Sequence, residues 1–327
     1  MRIGIVGAGA IGTWLAARLA AAGHEVSVLA RGATLAALQR DGARVRRDDD
    51  MLAAPVRASD DASVLGVQEL LVVATKSQAL PEVAAATTAM IGADTVILPA
   101  TNGVPWWFLT GAPAPFADAP LRSVDPDGAC AAHWPADQVC GCVVHASTWV
   151  VEPGLVHHVM GEGLIIGAVT EALAPRIEAI AAALTAGGFE VTCSASVRED
   201  IWYKLWGNMT MNPMSAITGA TCDLILDDPA ARGFASAIMN EAAQIGAAIG
   251  CPVEGDPEAR HEVTRKLGAF KTSMLQDAEA GRPLELAALL YAPKEIAELA
   301  GIATPTLDSL IGMMRVFERV RGFAPDT

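Results

Sequence analysis

The sequence predicts an α/β protein, with a doubly wound domain of parallel strands and helices over residues 1–195 and an all-α domain over 196–327. Three observations carry that prediction. Short apolar runs alternate with helical stretches through the first part of the chain. Glycines at G-x-G-x-x-G spacing join the first run to the first helix. Strand signals stop near Cys193, and helical periodicity dominates from Ser196 onward.

The first element is the apolar run Ile3 to Val6, a buried parallel strand by its composition. Gly7, Gly9 and Gly12 follow, then an alanine-rich amphipathic helix from Ile11 to Ala22. Glu25 to Leu29 reads as a second strand and closes a βαβ unit of about 30 residues. Each glycine has a physical role. Gly7 permits a tight turn, Gly9 lets the backbone approach a pyrophosphate, and Gly12 lets the helix pack close to the strand. The helix N-terminus supplies N–H groups and a positive dipole end for phosphates. The segment Gly7, Ala8, Gly9, Ala10, Ile11 and Gly12 is therefore expected to be the phosphate-binding turn of a Rossmann dinucleotide site. Arg2 before an apolar stretch also has the outline of a signal peptide. Arg18 interrupts the apolar core of such a signal, and the glycine spacing serves no purpose in one.

The end of the second strand speaks to the cofactor. An NAD site places Asp or Glu there to bind the ribose 2′-hydroxyl. This chain has Leu29-Ala30-Arg31-Gly32, with no acid and with a guanidinium whose planar donors match a phosphate. The expected cofactor is NADP(H), with Arg31 as the discriminating residue. Arg40 reads as a solvated helix charge.

Composition excludes several classes. A chain of 327 residues with 52% hydrophobic and 18% charged residues has material for two cores. A net charge of −14 argues against a nucleic-acid partner. Mean hydropathy is positive, yet no run of about 18 uncharged apolar residues marks a membrane span. Six cysteines without a C-x-x-C spacing read as buried, reduced thiols of a cytoplasmic protein. His157 and His158 have no partner cluster, so no metal site is expected.

Further strands are expected at Ala53 to Val56, Glu69 to Ala74 and Thr95 to Ala100. Gly141 to Trp149, Leu155 to Val159 and Gly163 to Gly167 alternate in part, as antiparallel strands do. Between Pro105 and Pro135 lies a loop rich in Pro, Ala and Asp, expected near the cofactor. Its Trp106, Trp107 and Phe108 either cover a ligand or pack the loop onto its domain. Helices are expected at Asp200 to Met211, Ala230 to Gly250, Pro257 to Glu279, Leu284 to Ala300 and Thr306 to Arg321, with Gly250, Gly281 and Gly301 as C-caps or turns. The apolar C-terminal helices either bury a homodimer interface or complete a core. Ligands are expected in a cleft between the domains.

The helical domain opens with I-W-Y-K-L-W-G-N-M-T-M-N-P. Lys204, Asn208 and Asn212 are spaced i, i+4, i+8, which aligns one amine and two amides on one helix face. Pro213 is expected to bend or end that helix. A second polar group is K-T-S-M-L-Q-D from Lys271, where Ser273 and Asp277 share a face. Glu285 follows the Gly281–Pro283 turn and begins the next helix, so that it can face back toward Lys204.

These features together resemble the ketopantoate reductase family. The matching residues are the G-A-G-A-I-G loop with Arg31, Thr75-Lys76, Thr101-Asn102-Gly103, the K-L-x-x-N-x-x-x-N-P run from Lys204, and K-T-S-M-L-Q-D with Glu285. The resemblance spans nearly the whole chain. It implies NADPH-dependent reduction of a 2-keto acid, 2-dehydropantoate to pantoate, and a place in pantothenate biosynthesis. It further implies Lys204 as general acid, Glu285 as the residue that positions it, Asn208, Asn212 and Ser273 as substrate ligands, and Lys76 and Asn102 as cofactor contacts. Two departures are plain, and one is that the segment with Trp106 and Trp107 is longer than in the compact family members. The family often carries another asparagine about ten residues after the second Asn of the helix, where this chain has Thr221-Cys222-Asp223. Another 2-keto acid or ketone is the alternative substrate, and a non-catalytic NADPH sensor is the alternative from a different class.

Overall fold

Strand β1 (Arg2–Val6), helix α1 (Ala10–Ala21) and strand β2 (Glu25–Leu29) form the βαβ unit at the predicted spacing. The computed structural model describes residues 1–323. After β2 the chain runs through α2 (Gly32–Asp41), β3 (Ala43–Arg47), β4 (Asp50–Ala54), β5 (Arg57–Ser59), α3 (Ala62–Leu65), β6 (Leu70–Val73), α4 (Leu80–Ala86) and β7 (Val96–Pro99). A segment of turns leads to α5 (Ala129–His133), the long hairpin β8 (Cys140–Glu152) and β9 (Leu155–Ala168), α6 (Ile177–Ala186) and β10 (Glu190–Cys193). Helices follow: α7 (Val197–Thr218), α8 (Cys222–Asp227), α9 (Pro229–Ala248), α10 (Pro257–Arg265), α11 (Ser273–Glu279), α12 (Ala292–Leu299) and α13 (Pro305–Arg321).

Two units result. One comprises Met1–Thr101 with Asp125–Asp200, the other Asn102–Val124 with the chain from Ile201 onward. In the first unit the strands β5-β2-β1-β6-β7 make an all-parallel sheet. A second, mixed sheet has the order β10-β9-β3-β4, with β8 antiparallel to β9. Helix α1 packs against strands of both sheets. That position explains its composition. Trp14, Leu15, Ala16, Ala17 and Leu19 are all buried, on every side of the helix, as expected for a helix enclosed in a core rather than lying on a surface. Arg18 sits in this setting because it is fully engaged. Its guanidinium donates to the Gly187 and Gly188 carbonyls, pairs with Glu162 at 3.1 Å and lies 4.7 Å from the Phe189 ring centroid.

Several boundaries differ from the sequence expectation. The strand expected at Ala53 to Val56 is β4, which ends at Ala54 and pairs antiparallel with a further strand, β3. The two strands expected across Leu155 to Gly167 are one, β9, because β8 pairs along its whole length. Pro213 does not end α7, which continues to Thr218. The surrounding residues Met211 to Ala216 are buried, so tertiary packing outweighs the one backbone bond that proline removes. The helix expected from Pro257 to Glu279 is two, α10 and α11, separated around Gly268 at φ +64°. The C-cap glycines behave as expected. Cys251, Arg282 and Ile302 each donate back to the carbonyl five residues earlier, around Gly250, Gly281 and Gly301 at positive φ.

In the second unit, the segment after Asn102 is packed rather than open. Trp106, Trp107 and Phe108 are buried, and Phe108 stacks on Trp202 of α7 at 5.7 Å. These residues do pack, but within the unit that holds the helices rather than on the parallel-sheet unit. His157 and His158 lie on β9, with His158 Nε2 2.7 Å from the Gly161 carbonyl. Among the described residues no cluster of His, Cys, Asp and Glu is placed to hold a metal, and no helix is long and apolar enough to cross a membrane.

Cys193 on β10 is exposed, whereas the other five cysteines are buried. Burial raises the Cys222 thiol to about 11 and pushes Cys130 and Cys140 higher still. A thiol reagent at neutral pH should therefore modify Cys193 rapidly and the others only after unfolding. Titration of the native protein with a chromogenic disulfide checks this, and Cys193→Ser should remove the fast phase.

Candidate active site

The loop after β1 carries the geometry of a phosphate-binding turn. Gly7 has φ +92°, in the left-handed region open to glycine. A Cβ on Gly12 would lie 1.9 Å from the Gly7 carbonyl oxygen, so only glycine lets α1 start this close to the strand. A Cβ on Gly9 would meet nothing within 4 Å. The protein itself does not require glycine there, and the bare backbone faces open space. Gly9 is the N-cap of α1, no side chain caps that end, and no acidic residue sits in the first turn. The terminal N–H groups are therefore available to an anion.

A cavity of about 320 Å³ opens beside this turn. Val6, Gly7, Ala8, Leu29, Ala30 and Arg31 line one side of it, with Thr75, Glu82 and Val83 among the other residues. Thr75 lines the cavity, and its buried hydroxyl has no hydrogen-bond partner in the protein. The glycine turn, the uncapped helix end and the adjoining cavity together fit a dinucleotide. Lys76 is half-buried and directly follows Thr75. Arg31 is the N-cap of α2, is 73% exposed, and reaches Glu82 of α4 at 3.3 Å. Arg40 pairs with its neighbour Asp41 at 2.6 Å, as a solvated helix charge does.

The second unit assembles the polar residues of the helical motifs. Lys204 lies on α7, and its Nζ donates to Asn102 Oδ1 at 2.8 Å. This contact joins residues 102 positions apart, and no sequence spacing announces it. The chain just after Asn102 is fixed on its other side. Val104 N donates to the Ala288 carbonyl at 2.9 Å, and Gly103, at φ +83°, passes so close that a Cβ there would lie 2.6 Å from the same oxygen. Ala288 belongs to a π-helical segment, Ala287–Tyr291, that begins just after Glu285. The loop at Asn102 thus connects the helix bearing Lys204 to the helix start bearing Glu285. Pro293, which has no N–H, follows this segment and cannot close an α-type bond onto Leu289. π-Helical turns of this kind are frequent at functional sites.

Glu285 is only 6% exposed, and its carbonyl accepts the first helical bond, from Leu289 N. Asn208 is half-buried on α7, and Asn212 is 5% exposed. The Asn212 carbonyl accepts from Ser215 Oγ, which lies 2.5 Å from Thr272 Oγ1. Thr272 in turn caps α11 by accepting from Leu275 N at 3.1 Å. This relay sets the start of α11, and hence the exposed Ser273, relative to the Asn212 turn. Asp277, on the face expected to be shared with Ser273, is buried and pairs with Arg282 at 2.8 Å. At Thr221-Cys222-Asp223, the Thr221 hydroxyl donates to Asp223 Oδ1 at 2.5 Å and Cys222 is buried.

Chemically, the two units offer a nucleotide cavity with one guanidinium at its rim, and an amine held by an amide in a helical domain that also carries a buried carboxylate. Such an amine can stabilise charge developing on a carbonyl oxygen.

Residues 3–171 match the family model for ketopantoate reductase PanE/ApbA, and residues 196–318 match the model for its C-terminal domain. A 2-dehydropantoate 2-reductase of Mesorhizobium japonicum is 38% identical over 98% of this chain and 99% of its own. A protein of Ralstonia solanacearum MolK2, solved as a candidate ketopantoate reductase, is 49% identical with a TM-score of 0.94, covering 99% of both chains. The 2-dehydropantoate 2-reductase of Geobacter metallireducens is 27% identical with a TM-score of 0.85, over 96% of this chain and 99% of that one. The chain belongs to the ketopantoate reductase family and is an oxidoreductase.

Proposed function

We propose that the protein reduces 2-dehydropantoate to pantoate with NADPH, a step of pantothenate biosynthesis, and that Lys204 is the general acid. The observation that carries this reading is the hydrogen bond from Lys204 Nζ to Asn102 Oδ1. It holds a cationic amine in one orientation in the domain whose other polar side chains suit a hydroxylated keto acid. NADPH supplies the hydride that adds to the keto carbon when it is bound. As that carbon changes from planar to tetrahedral, its oxygen gains negative charge. The Lys204 ammonium stabilises the charge and delivers the proton that completes the alcohol. Glu285, buried in the same unit, would position that lysine. Asn208, Asn212 and Ser273 bind the substrate carboxylate and hydroxyl without adding net charge. Their amide and hydroxyl donors suit an anion in a protein already at −14.

For the cofactor, the glycine turn from Gly7 to Gly12 would hold the pyrophosphate, with Ala8, Ala10 and Ile11 contributing backbone. Thr75, Lys76 and Arg31 would hold the rest of the adenosine half. Arg31→Ala is expected to weaken NADPH by about tenfold, the scale of a charged hydrogen bond at an exposed site, and to leave NADH within about twofold. Quenching of protein fluorescence on titration with each dinucleotide checks this. Equal loss for both would make Arg31 structural. A second substrate reading rests on the segment Thr221-Cys222-Asp223, which holds no asparagine where one is common in the family. Turnover of a different 2-keto acid in preference to ketopantoate would favour it. NADPH binding with no turnover of any keto acid would favour a sensor.

A further inference from the structure

The end of β2 has no acidic residue in sequence, yet the fold supplies one in space. Glu82, in the first turn of α4, comes from 51 positions beyond Arg31, and its Oε1 lies 3.4 Å and 3.3 Å from the two terminal guanidinium nitrogens of Arg31. Both side chains line the nucleotide cavity, together with Ala30 and Thr34 from the β2 end and Thr75, Ala79 and Val83 from the α4 side. Both are largely exposed, at 73% and 72%, so neither is committed to the core. The rim therefore holds a carboxylate and a guanidinium side by side, the two groups that dinucleotide sites use for a ribose 2′-hydroxyl and a 2′-phosphate respectively.

The geometry points to Glu82 as a second cofactor-selectivity residue, one that lets the site take NADH as well as NADPH; this rests on the dinucleotide reading above. With NADH, the carboxylate accepts the 2′-hydroxyl hydrogen while Arg31 neutralises it. With NADPH, Arg31 exchanges Glu82 for the 2′-phosphate, and the carboxylate is left as a like charge near that phosphate. An exposed ion pair of this kind is weak enough to be exchanged by a ligand. Glu82 thereby opposes Arg31, and the preference between the two dinucleotides is the balance of the pair rather than the work of Arg31 alone.

The test is a set of dissociation constants for NADPH and NADH, measured by fluorescence on the full-length protein and on Glu82→Ala, Glu82→Gln and Arg31→Ala. Because Glu82 is exposed, neither replacement removes core contacts, and unchanged thermal midpoints would confirm intact folding. Glu82→Ala should tighten NADPH by about threefold to tenfold and weaken NADH by a similar factor, the scale of one charge or hydrogen bond. Glu82→Gln should tighten NADPH alike, because it removes the charge, and weaken NADH less, because its amide oxygen still accepts. NADPH tightening should shrink at high salt, which screens exposed charges. Constants unchanged by both Glu82 variants, beside a selective loss of NADPH in Arg31→Ala, would overturn the role of Glu82 and leave the NADPH reading standing. Equal loss of both dinucleotides in Glu82→Ala would make Glu82 structural and also overturn it. Failure of the unmodified protein to bind either dinucleotide would overturn both readings.

Discussion

Lys204→Ala is expected to lower turnover by about 10²–10⁴-fold, the usual worth of a positioned general acid, while dinucleotide binding stays within about twofold. The size follows from the proposed mechanism, in which the Lys204 ammonium would stabilise the developing oxyanion; its amine donates to Asn102 Oδ1 at 2.8 Å. Removing it leaves the Asn102 loop anchored through Val104 and Ala288, so the loss falls on chemistry rather than on architecture. Steady-state rates and dinucleotide titration on the same preparation separate the two. Turnover at the unmodified rate would remove Lys204 from the mechanism, and loss of binding in proportion to turnover would make its role structural.

What was legible before the structure, and what was not, divides along physical lines. The β1–α1–β2 unit could be read because parallel strands buried on both faces are continuous apolar runs, and because the turn between them tolerates only glycine at residues 7 and 12. Lys204, Asn208 and Asn212 could be read because a helix converts fixed spacing into a shared face. Strand β3 escaped because Arg44, Arg46 and Arg47 give Ala43–Arg47 no apolar signature, although Ala43 and Val45 face the core. The unity of β9 escaped because Gly161 and Gly163 interrupt its apolar pattern, while the β8 ladder that holds it together is invisible locally. The course of α7 through Pro213 depended on packing that propensity does not encode. The pairings of Asn102 with Lys204 and of Arg31 with Glu82 are tertiary facts that no single-sequence spacing reports.

Trp202→Ala should destabilise the protein by about 3–5 kcal/mol, the range for deleting a buried aromatic side chain. Trp202 is 1% exposed on α7, two residues before Lys204. Its indole donates to the Ala242 carbonyl of α9 at 3.1 Å and stacks with Phe108 of the loop that follows Asn102. Gly246 of α9 makes room for it, since a Cβ there would lie 2.3 Å from the indole nitrogen. Truncation would leave a cavity, an unpaired carbonyl and a loosened loop at once. Trp202→Phe keeps the stack and loses only the donor and part of the volume, so it should cost about 1–3 kcal/mol, in line with one unsatisfied buried acceptor. Urea unfolding followed by circular dichroism gives both values. Equal stability of Trp202→Ala and the unmodified protein would mean that α7 is not anchored through this residue.

The most direct test of the central claim is the rate of NADPH oxidation with ketopantoate, run beside other 2-keto acids and with NADH in place of NADPH. The account predicts rapid turnover of ketopantoate with NADPH, faster than with any other 2-keto acid of the set. Bound NADPH that is consumed with none of these substrates would contradict it.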